Sequence, residues 1–253
     1  MDRILEIYTR PASPEETRAI LAVIDTQYIT AVCPEWTPQT GGLGLASHWT
    51  TWKPLGKRAI LYQVREKKEP TPRTYFILPD RILRVCGEAG LVISANVVIL
   101  GGVLAMRKTT TDPASYERER VRTLASLTTK TGASDDPDQE IVFLVRECFF
   151  CSGARGEPED FQTRMVVARS LVEGEAGRPK TSIFTSQGCV RICYQPHMAP
   201  SQVQVLTRDV PPPIVGTTLV GVELHPADEK THKSLTVTGN YVEAIRVLTV
   251  GNT

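Results

Sequence analysis

Arg58-Ala59-Ile60-Leu61-Tyr62-Gln63-Val64-Arg65 and Glu140-Ile141-Val142-Phe143-Leu144-Val145-Arg146-Glu147 decide how this chain folds. Each is a short run of branched and aromatic residues closed off by charges. That composition suits a pleated, buried strand better than a helix. Working outward, similar runs cover 73–78, 81–86 and 97–106 on the N-terminal side. On the C-terminal side they cover 163–172, 180–185, 189–194, 202–207, 214–224, 234–238 and 241–250. Gly, Pro, Asp or Asn separate them. Many short strands at such spacing favour sandwich- or barrel-like antiparallel sheets. A parallel sheet needs a crossover helix after most strands, and only two helices are expected.

The first expected helix spans 14–31. Ser13 caps it, Pro14 suits the first helical position, and Glu16 completes a capping box. Ile20, Val23, Ile24 and Tyr28 recur at helical spacing. The second spans 113–130, from the Asp112 cap to Gly132, with Val121, Leu124 and Leu127 on its buried side. Its Glu117/Arg120 and Glu119/Arg122 pairs are three apart and can meet on a solvated face. The fold class is therefore mainly β, with two helices in the N-terminal half. The polar stretch 128–139 divides the chain into expected domains at 1–131 and 132–253.

The chain has 253 residues, 41% hydrophobic and 23% charged, which suits packed globular structure. Its 29 basic and 28 acidic residues sum to +1, which excludes a strong overall pull toward nucleic acid or anionic lipid. The opening Met1-Asp2-Arg3-Ile4-Leu5-Glu6 has no basic leader ahead of an apolar core. The apolar stretch 91–105 is too short for a membrane helix and is broken by Ser94, Asn96, Gly101 and Gly102. A cytoplasmic or nuclear protein that is not secreted is expected, with its six cysteines as thiols or metal ligands.

Cys148-Phe149-Phe150-Cys151-Ser152-Gly153 has the form of a zinc knuckle. Cys189, Cys193 and His197 follow, so one structural zinc is a candidate cofactor. Against it, a strand through 189–193 would place its two cysteines about 13 Å apart. Buried thiols with no cofactor are the alternative. Trp36, Trp49 and Trp52 fall within 17 residues, in a stretch rich in Pro and Gly that is expected to be a loop. Tryptophan is over-represented at binding hot spots, so these three are candidate partner contacts, with core packing as the competing role. Arg65, Lys67, Lys68, Arg107 and Lys108 form modest basic clusters that could meet phosphate or anionic lipid. His225 and His232 lie in a carboxylate-rich stretch that is expected to be a solvated turn between strands.

Standard catalytic patterns are missing: there is no G-x-S-x-G elbow and no phosphate-binding G-x-x-x-x-G-K-[ST] loop. The expected function is a non-enzymatic structural, assembly or interaction protein. In architecture alone, two β-rich halves on a short linker resemble viral matrix and coat-type proteins, which implies self-association or a protein partner. Two alternatives stay open. One is a zinc-stabilised regulatory module binding protein or nucleic acid. The other is a hydrolase whose dispersed residues, such as His48, His197 or Cys189, gather around a carboxylate.

Overall fold

The computed structural model describes residues 1, 5–6, 9–26, 48–66, 72–86, 95–109, 112–127, 139–152, 160–173, 182–185, 188–227 and 235–237. The chain forms two compact units, each drawing on three separate stretches. One comprises Met1–Ala31, Gly56–Ala105 and Glu140–Tyr194; the other comprises Val32–Leu55, Met106–Gln139 and Gln195–Thr253.

The first unit is built on an eight-stranded sheet. In chain order its strands are β1 (Thr9–Pro11), β3 (Gly56–Val64), β4 (Arg73–Ile77), β5 (Ile82–Val85), β6 (Val97–Lys108), β7 (Gln139–Cys151), β8 (Ser182–Thr185) and β9 (Gly188–Tyr194). In space they run β1-β5-β4-β3-β6-β7-β9-β8. The β1/β5, β5/β4, β4/β3, β3/β6 and β8/β9 pairs are antiparallel, as the sequence leads one to expect. The β7/β9 pair is parallel, so the sheet is mixed. No closed barrel forms among the described residues.

The connection between the parallel strands includes a helix. Residues 163–172, expected as a strand, lie in a helix, α3 (Phe161–Glu173). The expectation followed the branched residues in Met165-Val166-Val167; the helix follows a stripe. Phe161, Arg164, Met165, Ala168 and Val172 are its buried positions, at the spacing of one helical face. This helix and β8, which runs antiparallel to β9, together make the connection from β7 to β9.

Helix α1 (Pro14–Leu21) carries the expected capping box: the Ser13 hydroxyl accepts from the Glu16 N–H, and the Glu16 carboxylate accepts from the Ser13 N–H. It ends at Leu21, well short of residue 31. Ile20, with Ile24 beyond its end, packs on Ile60, Tyr75 and Ile77 of the sheet. Glu16 also accepts from the Tyr75 hydroxyl at 3.0 Å and pairs with Arg84 at 2.7 Å and Arg10 at 3.3 Å. Burial pushes its carboxyl up. The Ser13 N–H, Tyr75 and Arg10 outweigh that and hold it down at about 2.

In the second unit, β10 (Leu219–Pro226) lies between β2 (His48–Pro54) and β11 (Leu235–Val237), antiparallel to both. Strand β2 occupies the end of the stretch expected as a loop. Helix α2 (Pro113–Ser126) starts at the expected Asp112 cap and shows both expected charge pairs. Thr123 accepts from the Gly216 N–H and Ser126 from the Leu219 N–H, fixing the start of β10. Gly216 has φ +87, and a side chain there would run into the Lys108 carbonyl at 2.5 Å. Residues 202–207, expected as a strand, belong to a 3-10 helix (Pro200–Thr207) in which Val203 and Leu206, three apart, are buried. The expected strand over 241–250 lies outside the described residues.

Two predictions follow from charges inside the first unit. Arg164 of α3 meets Glu147 of β7 at 2.7 Å, with 4% and 2% exposure. Glu147→Ala leaves the guanidinium in the interior and lowers urea stability by about 3–5 kcal/mol, whereas Glu147→Met with Arg164→Leu recovers most of that loss. For Glu16, the folded value lies below the unfolded value of about 4.3. Its contribution is thus complete above about pH 4.5 and is lost as the pH falls toward 2. In acid titrations followed by circular dichroism, Glu16→Gln should be less stable than wild type near neutrality, the gap closing toward about pH 2.

Candidate functional site

The three-stranded sheet sorts its side chains by strand alternation. Directly opposed residues share a face. Trp52 stands opposite Val222, and Val222 opposite Val237; Thr50 stands opposite Leu224, and Leu224 opposite Leu235. This is the apolar face. Trp52, Val222, Leu224 and Val237 join Val203, Leu206, Ile214 and Leu219 in one core.

The other face is polar and also buried. Glu223 stands opposite Thr51 and Thr236, and His225 opposite Trp49. Glu223 is 2% exposed and His225 6%, and Thr51 and Thr236 are buried with them. Beyond β2, the segment 195–198 docks on the strand's free edge. Thr50 and Met198 exchange both backbone hydrogen bonds, at 3.0 and 2.7 Å. The Gln195 amide donates to Thr51 Oγ1 at 2.8 Å and to the Trp52 carbonyl at 2.6 Å, and the Thr51 hydroxyl donates to the Pro196 carbonyl at 2.8 Å. Because Met198 packs against the apolar core, its neighbour His197 falls on the polar face. There the His197 and His225 rings meet edge to face, centroids 5.3 Å apart, and His225 Nε2 lies 3.6 Å from Glu223 Oε2. Lys53 donates to Thr236 Oγ1 on the same sheet.

The His197–His225–Glu223 group has the residue types of general acid–base chemistry. Its burial keeps it closed, since the carboxylate and the His225 ring are inside the fold. His48 is buried too, but it stands opposite Pro226, where strand alternation gives it the other face. The gathering expected of a hydrolase thus takes in His197 but not His48. Sequence spacing missed Glu223 as a partner of His225 by ending the strand at 224. The signal was the alternation itself: Val222 and Leu224 point one way, Glu223 and His225 the other.

The remaining candidates are dispersed. Cys148 and Cys151 lie in β7, not in a tight turn, and alternation gives them opposite faces. Burial, then Cys151 and Glu147, push the Cys148 thiol up to about 12, which suits an inert core group. Cys193 packs against Val103, Ala105, Val142 and Leu144. In the β7/β9 register it is beside Leu144, four residues or about 13 Å along the strand from Cys148. The Cys189 side chain and Gly153 lie outside the described residues. Among the described residues no group of three or more His, Cys, Asp or Glu is arranged to hold a metal ion.

Trp52 is fully buried and donates to the Leu206 carbonyl at 3.1 Å, so it is a core residue with no surface to offer a partner. Trp49 is half-buried on the polar face, and Trp36 lies outside the described residues. Of the basic residues, Arg65 is exposed after β3, while Lys67 and Lys68 lie outside the described residues. Arg107, a candidate phosphate contact, is buried and donates to the Pro213 carbonyl. Lys108 pairs with Glu119 at 3.8 Å. His232 also lies outside the described residues. No helix among the described residues is long and apolar enough to cross a membrane. No family model matches the chain, and no curated protein matches its sequence.

The two described tryptophans should behave differently. Trp52→Ala lowers stability by about 3–5 kcal/mol in chemical denaturation, from lost packing and an orphaned Leu206 carbonyl. Trp49→Ala costs less than half as much.

Proposed function

We propose that this protein is a non-enzymatic structural or assembly protein, matrix- or coat-like, that self-associates. One contrast supports the reading. The groups suited to chemistry or recognition, namely His225, Glu223, Cys148, Arg107 and Trp52, are built into the interior. Apolar side chains stand outside instead. Leu21 and Val23, at the C-terminal end of α1, are 50% and 61% exposed within three residues of each other. A close apolar pair fits a contact between copies better than a lone exposed side chain does.

Edge-to-edge sheet pairing is the less favoured route. The terminal strands β1 and β8 are only three and four residues long, and short edges are one way proteins blunt such pairing. The α1 tip is the better contact. Cys86 and Cys148 are free thiols, which suits the reducing interior of cytoplasm or nucleus.

Sedimentation velocity across a concentration series tests the proposal. Wild type should show species heavier than the 27.9 kDa chain. Leu21→Asp with Val23→Asp should return the protein to single-chain mass with its melting temperature unchanged. A wild-type protein that stays at single-chain mass throughout would overturn the reading.

A further inference from the structure

We propose that His197, His225 and Glu223 form an acid-released latch that holds residues 195–198 on the edge of β2. The segment is fastened mainly by polar contacts: the paired backbone bonds between Met198 and Thr50, the Gln195 amide on Thr51 and Trp52, and the Thr51 hydroxyl on Pro196. It can part from β2 without breaking the seven-residue register between β2 and β10. The His197–His225 ring contact spans that same joint, with one imidazole on the segment and the other on β10.

The charges decide the direction. Among the described residues, the titratable groups of this face are Glu223 and His225 from β10, His197 from the segment and Lys53 from β2. Strand β11 contributes Thr236, which is neutral. Imidazoles take up protons as the pH falls through about 6.5. The first proton is offset by Glu223, 3.6 Å from His225. The second puts like charges on rings 5.3 Å apart, in a place shielded from water. Moving the segment and its imidazole off the edge relieves that repulsion.

Hydrogen exchange on the full chain, expressed as protection factors so that intrinsic pH dependence cancels, is the test. The amides of Thr50 and Met198 should lose at least about tenfold protection between about pH 7.5 and 5.5, the span across which ordinary imidazoles charge. Protection of Val222 and Leu224 in β10 should hold over that span. Glu223→Gln should move the loss to higher pH, and His197→Gln or His225→Gln should abolish it. Should Glu223→Gln fail to fold, the wild-type profile and His197→Gln decide the matter. Protection at Thr50 and Met198 that does not change with pH, or a loss that survives both histidine substitutions, overturns the latch.

Discussion

Strand β7 is buried at every position from Ile141 to Cys148, and the architecture of the first unit follows from that burial. A strand covered on both faces cannot alternate between apolar and polar. Its two ionisable central residues, Arg146 and Glu147, are consequently interior groups, and Glu147 is held by Arg164 from α3. The same strand is where the sheet changes character. On one side it neighbours β6, and on the other it pairs in parallel with β9, the connection between them running through α3 and β8. The approach of β6 is close: a side chain at Gly102 would lie 2.3 Å from the Leu144 carbonyl. A glycine in a strand usually weakens it. Here it lets two central strands come together.

A consistent division of charge runs through the described structure. Surface pairs such as Glu117–Arg120 and Arg169–Glu173 lie along helix faces and contribute little individually. Buried and half-buried polar groups are tied to neighbours with defined geometry: Glu16 to Ser13, Tyr75 and Arg84; Gln195 to Thr51; Ser126 to Leu219. Such ties fix register and helix placement, because an interior polar group left without its partner costs more than a satisfied one contributes. The near-zero net charge of the chain therefore conceals a structured distribution.

Much of this was legible from residues alone, for physical reasons. Strands β3 to β7 were found because each combines branched or aromatic residues with a clear stop, such as the Pro79-Asp80 turn before β5. The capping box of α1 and the Asp112 cap and charge pairs of α2 are local chemistry and were equally readable. Helix α3 was not, since Val166 and Val167 suggest a strand when their neighbours are judged by type. Only the spacing of Phe161, Arg164, Met165, Ala168 and Val172 reveals the helix. Strand β2 was hidden by the glycines and prolines before it. The polar face was half visible: Glu223 and His225 alternate against Val222 and Leu224, but nothing local announces that His197 arrives from an edge segment. The interleaving of the two units depends on long-range pairing, which composition does not record.

The central claim, that burial of β7 on both faces organises the first unit, is tested most directly by native-state hydrogen exchange of that strand under conditions where the protein stays folded. Amides of residues 141–148 should be the last in the first unit to exchange, opening only with global unfolding, well behind those of β1 and α1. Exchange of 141–148 as early as the three-residue β1 would contradict it.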